Sequence, residues 1–255
     1  MAEMIFYDDV VALNSEVHAK IKVKPHILGF LYARRTNSVP ILATEAAACA
    51  LEYPVVFVQG KDGFVPIALL GLRENENLYV NIGGEWDARY IPAFVRRYPF
   101  VPGRDAEGKL VVCIDETAAC LGTEAGDPLF AEGKPTQRLE TAVQFLDEYH
   151  QIALATEALG RRIGELGLLK AADPVVEFES GEQFRLNGPH VIDVEKLQTL
   201  DKDTIYELFT SGALSLIQTH LVSLGNFAGL LDRRAPLIKA ADVTSAARKK
   251  PAAHK

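Results

Sequence analysis

A chain of 255 residues with 48% hydrophobic and 24% charged side chains can bury a full core, which excludes the disordered, fibrous and disulfide-stapled classes. Its net charge is −7; five cations against Asp242 give the last twenty-one residues +4, so the rest carries −11. An acidic body of that kind disfavours nucleic acid and anionic membrane as partners.

The N-terminus, MAEMIFYDDVVALNSEV, has acidic residues where a signal peptide needs basic ones, and no apolar run approaches the ~20 residues of a membrane span. Both point to the cytoplasm, with export lacking a cleaved signal as the alternative. Residues 17–23, VHAKIKV, alternate with period two and predict a strand with Val17, Ala19, Ile21 and Val23 inward. Pro40 opens ILATEAAACALEY, an alanine-rich helix that must stop before Pro54. Two β-rich runs over 55–72 flank Gly60-Lys61-Asp62-Gly63 and predict a hairpin. Pro66 lacks an N–H, which sets the second strand's start at an edge or a bulge. Glu74–Asn77 form a polar turn before a short strand, Leu78-Tyr79-Val80.

Residues 83–100, GGEWDARYIPAFVRRYPF, hold the only tryptophan with two tyrosines, two phenylalanines and three arginines. Pro92 and Pro99 bracket a short helix whose last turn carries Arg96 and Arg97. Three readings compete. Trp86, Tyr90, Phe94 and Phe100 are core and the arginines cap carbonyls or pair with carboxylates. Alternatively Trp86, Arg89, Tyr90, Arg96 and Arg97 form an aromatic pocket with a guanidinium clamp for an anion, or a protein-docking surface. Lys109–Ile114 is a further strand; Asp115 and Glu116 at its end either cap the following turn or supply a general acid or base beside Arg97.

From Thr136, apolar residues at 139, 142, 146, 149, 153, 156, 159, 163 and 166 define one long amphipathic helix, with Gly160 and Gly164 as weak points. Short strands VVEF and QFRL follow around Ser180-Gly181. Asp193 and Asp201 or Asp203 then cap two short helices. A last helix carries Leu214, Ile217, Leu221, Leu224, Ala228 and Leu231 in heptad spacing, either as a core face or as a dimer seam. Residues 236–255 read as a disordered basic tail.

Sequence signatures of catalysis are absent. There is no GxSxG elbow and no GxGxxG fingerprint, and Pro135 removes the backbone N–H that a phosphate loop at Gly133-Lys134-Pro135-Thr136 needs. The six histidines lack metal-ligand spacing, and Cys49, Cys113 and Cys120 lack CxxC spacing, so the spacing indicates no metal, and the sequence assigns no cofactor. The expected architecture is α+β: an antiparallel sheet from about residues 16–114, packed against the helix from Thr136 and completed by C-terminal helices. Residues 1–235 form one domain, with a strand-rich lobe to 133 and a helix-rich lobe from 134.

The segments PVVFV (54–58), ALLGL (68–72), ENLYV (76–80), WDARYIP (86–92), RRYPF (96–100), CIDE (113–116), GDPLF (126–130), GKPT (133–136) and HLVSL (220–224) closely resemble the SapC family over residues 16–234. The resemblance implies an S-layer-related bacterial protein, with no catalytic motif to carry over. Function is therefore expected to be non-enzymatic binding or accessory work linked to the surface layer or envelope, with a protein partner or a homo-oligomer. The alternatives are an enzyme acting on a small anionic substrate, and a purely structural oligomeric subunit.

Overall fold

The computed structural model describes residues 5–24, 29–104, 107–172, 175–177, 183–185 and 188–236. Its centre is a five-stranded antiparallel sheet in the order Leu169–Ala171 (β12), Pro189–Ile192 (β15), Val55–Gln59 (β4), Phe64–Leu69 (β5) and Ser38–Pro40 (β3). Strand β4 opens on an apolar run, Val55-Val56-Phe57, that is fully enclosed on both faces, and only Gln59 at its far end is exposed. The predicted hairpin joins β4 to β5, closed by Gly60 N–H donating to Gly63 O at 2.7 Å.

Pro66 does not mark an edge, since β5 is flanked by β4 and β3. Leu69 N–H donates to Pro54 O, so in steps of two Ile67 and Val65 also face β4 and Pro66 faces away. On that side β3 pairs only as far as Ile67, and the Pro66 carbonyl accepts from Ile41 N–H. The missing donor thus falls just past the end of its neighbour.

A second, three-stranded antiparallel sheet joins Val10–Ala12 (β1), Leu110–Asp115 (β7) and Phe100–Arg104 (β6). Smaller pairings link Lys22–Val23 (β2) to Leu121–Gly122 (β8) and Asp127–Pro128 (β9), Phe130–Ala131 (β10) to Lys134–Pro135 (β11), and Val175–Glu177 (β13) to Gln183–Arg185 (β14). The turn expected at Ser180-Gly181 lies outside the described residues, as do residues 237–255 of the expected tail.

Helix Gln137–Glu165 (α3) is the long amphipathic helix. Its first half, through Leu139 and Leu146, joins a core with Phe100, Ile114, Leu129 and Phe130. Its second half, through Tyr149 and Ile163, joins the main core on the five-stranded sheet. Gly160 is the point of closest approach rather than a weakness: a Cβ there would stand 1.8 Å from Phe64 O of β5. The alanine-rich segment is a 3-10 turn, Ala43–Glu45, running into the short helix Ala46–Cys49 (α1).

C-terminal to these come Val194–Gln198 (α4), Lys202–Ser211 (α5) and Ala213–Ser223 (α6), with a 3-10 turn at Leu224–Asn226 and helix continuing to Pro236. Asp201 caps α5 by accepting from Asp203 and Thr204 N–H, both at 2.9 Å. Asp193 does not cap α4 with its side chain, which lies 3.5 Å from Lys170 Nζ instead. The helix from Ala213 to Pro236 has the length and composition of a membrane span. It lays Leu216, Ile217, His220, Ser223 and Leu230 fully into the core, while Leu214, Leu221, Leu224 and Leu231 of the heptad stripe pack partly buried against the same core. Of the stripe, Ile217 is fully buried in the chain's own core and Ala228 is exposed.

The architecture is α+β, as expected, but the strands expected in a single sheet are shared among three, and strands from the C-terminal half complete the largest of them. Two further local expectations fail. Val17 is 72% exposed, while His18 is buried with its ring on the Asn14 backbone. Asn14 Oδ1 accepts from Glu16 and Val17 N–H, so a side-chain-closed turn replaces most of the strand. Leu78–Val80 is likewise no strand beyond one bridge from Val80 to Trp86. Asn77 Oδ1 takes the Tyr79 N–H that a ladder would have used.

Candidate functional site

The sequence-predicted residues divide into framework, cleft wall and open surface. Trp86 is framework. Its indole N–H donates to Tyr53 Oη at 2.8 Å and its ring meets Phe30 edge-on at 5.5 Å. Glycine at 29 and 84 permits that contact: Phe30 N–H donates to Gly84 O at 2.7 Å, and a Cβ on Gly29 would stand 2.2 Å from the same oxygen. Tyr53 O–H donates in turn to the carbonyl of Tyr90.

The short helix Ala93–Arg96 (α2) follows Pro92 and ends before the cis Tyr98–Pro99 bond. Ala93, Phe94 and Val95 point inward, which turns Arg96 out to solvent. Arg97, at the helix's C-cap, turns back into an aromatic cage, its guanidinium carbon 3.9 Å from the Phe94 centroid, 5.1 Å from Tyr149 and 5.6 Å from Tyr7. Burial pushes the phenols of Tyr7 and Tyr149 up to about 12, with the Arg97 cation working against it in both. Arg89 is almost fully in solvent, 3.8 Å from Glu52.

Asp115 has no exposed surface. Its carboxylate accepts from Asp8, Asp9 and Thr117 N–H at 3.2, 3.2 and 3.0 Å and from Thr117 O–H at 2.7 Å. It therefore caps the turn after β7 and ties the N-terminal segment to it. Glu116 faces His18, with 2.9 Å between Oε1 and Nε2. Among the described residues no ion pair joins Arg89, Arg96 or Arg97 to either carboxylate, and no group of histidines, cysteines and carboxylates is arranged to hold a metal.

What the block does contribute to is an open cleft of about 1320 Å³. Its aromatic wall is Phe6, Tyr7, Phe30, Tyr32 and Tyr98. Tyr32 and Tyr98 stack at 4.0 Å, and Phe6, held at φ 81°, sets its ring edge against Tyr32 and Phe94. Lys24, Arg35, Arg96 and Arg138 reach the cleft, against Asp8 and Glu74. Of the predicted site residues only Arg96 lines it. Cys120 lines it too, but burial pushes its thiol up, so it is no ready nucleophile.

Arg35, Tyr32 and Arg138 were missed from sequence because their segments lie far apart in the chain and carry no local motif. The signal that was legible, aromatic and arginine crowding, picked out only residues 83–100.

Fold and site together define an α+β protein with an aromatic-walled, basic cleft and no recognisable catalytic constellation among the described residues. The chain matches the SapC family over residues 13–230 and belongs to that family. No curated protein and no solved structure matches it.

Proposed function

We propose that this chain is a non-enzymatic binding or accessory protein that takes a small anionic ligand with an apolar body in the cleft, in support of surface-layer or envelope processes. One observation carries the binding reading. Four basic side chains face two acidic ones around an aromatic wall, in a chain whose net charge is −7. A local reversal of sign in a concave, apolar-lined site attracts anions out of proportion to the protein's overall charge. The surface-layer part of the reading rests on the family resemblance, and the cytoplasm is the proposed compartment.

The test is a titration of the full chain with anilinonaphthalene sulfonate, an aryl anion, followed by fluorescence. Saturable binding is expected, weakened by added salt and weakened at least about tenfold in an R35Q/R96Q/R138Q variant, at an unchanged melting temperature. Equal affinity of wild type and variant would refute the site. Fractionation with protease shaving of intact cells, against a cytoplasmic marker, tests the compartment; loss to shaving places the protein outside.

A further inference from the structure

Arg96 is exposed, yet its guanidinium is held from several sides. Nε–H donates to Ile91 O at 3.0 Å and Nη2–H to Tyr90 Oη at 3.4 Å, while the group sits 5.8 Å from the Tyr90 centroid and 5.3 Å from that of Phe145. An exposed arginine ordinarily keeps its rotamer freedom, so this much support is unusual for a solvated cation. Among the described residues it has no carboxylate at ion-pair distance, which leaves the rest of its N–H fork to the cleft.

The support extends inward. Glu45, only 6% exposed, accepts from Leu42 N–H at 2.9 Å through Oε1, and through Oε2 from Ala93 N–H at 2.8 Å and Tyr90 O–H at 2.7 Å. Ala93 opens α2, the helix that ends in Arg96. One buried carboxylate thus fixes both the start of that helix and the phenol beneath its last side chain. Because the Tyr90 proton is committed to Glu45, the phenolic oxygen presents a lone pair to Arg96. Burial, then the Glu45 hydrogen bond, raise the Tyr90 phenol and keep that proton in place.

Resting on the cleft as the binding site, we propose that Glu45 and Tyr90 are positioning residues that hold the Arg96 guanidinium ready for a carboxylate, sulfonate or phosphate group of the ligand. Preorganisation of this kind raises affinity by removing the ordering cost at binding.

The experiment is a double-mutant cycle read by anilinonaphthalene sulfonate titration of the full chain. R96Q should weaken binding about tenfold and Y90F about threefold, with Y90F/R96Q no weaker than R96Q alone. Y90F keeps the ring and its packing, so it should fold where a Glu45 variant loses stability. E45Q, if folded, should match Y90F and add nothing to it. Equal losses from Y90F with and without Arg96 would overturn the positioning role, as would a Y90F variant that binds like wild type. If R96Q binds normally while R35Q and R138Q do not, this inference fails and the cleft stands. If none of the three weakens binding, the cleft reading fails as well.

Discussion

Replacing Gly160 by alanine sets helix propensity against packing. In a helix interior alanine is favoured over glycine by about 0.8–1 kcal/mol, so local preference alone calls for a more stable protein. The added Cβ, however, would stand 1.8 Å from the Phe64 carbonyl oxygen and 2.9 Å from its carbon. Both are backbone atoms of a strand residue paired with Gln59, so neither can swing aside. To restore an ordinary carbon–oxygen separation of about 3.3 Å, α3 must withdraw from β5 by roughly 1.5 Å. A gap half that size already forfeits a quarter to a half of each dispersion contact across it. Overpacking against backbone belongs at or above the top of the usual range of about 1–3 kcal/mol, which leaves a net loss of about 2–3 kcal/mol after the propensity gain. In urea the midpoint should fall by about 1 M with an unchanged slope. Gly229→Ala is the matched control. It is helical with no atom within 4 Å of the added Cβ, and it should gain up to about 1 kcal/mol. Gly164→Ala should fall between them, because its Cβ would meet only the Phe64 ring, at 2.8 Å. If Gly160→Ala behaves like Gly229→Ala, the close seating of α3 on β5 is wrong.

Two further perturbations test the interior. His220 is fully buried between strands: Nδ1 lies 2.7 Å from Val55 O and so carries the proton, while Nε2 accepts from Ile192 N–H at 3.1 Å. A second proton would set donor against donor, and burial lowers the imidazole below its ordinary 6.5. The folded state therefore binds fewer protons than the unfolded one, so this contribution is complete above about pH 6.5 and declines as the pH falls from there toward the depressed value. Urea midpoints of wild type and H220Q should converge over that interval; a pH-independent difference would refute the assignment. Asp115→Asn places an amide NH₂ among the four donors the carboxylate serves, at an expected cost of about 2–4 kcal/mol with earlier proteolysis near Asp8 and Asp9. A variant as stable as wild type would remove Asp115 from its role as the clamp on the N-terminal segment.

Local chemistry alone determined a good part of this protein. The hairpin at Gly60–Gly63, the helix from Thr136, the short helix between Pro92 and Pro99 and the Asp201 cap each follow from turn chemistry, periodicity or side-chain hydrogen bonding within a few residues, and all four are present. Tertiary structure decided what long-range partners control. Gly160 looks like a flaw until Phe64 is brought beside it. Val17 loses its inward place because the buried His18 has Asn14 to bond. The aromatic and arginine block looked like one unit, yet Trp86 and Arg97 turn into the protein and Arg96 turns out, a split set by which faces of α2 and its flanks the two cores cover. Arg35, Arg138 and Tyr32 acquire meaning only beside Arg96 and Tyr98. Segments separated by many tens of residues share a wall through packing, and no pattern within one segment encodes its neighbour across the fold.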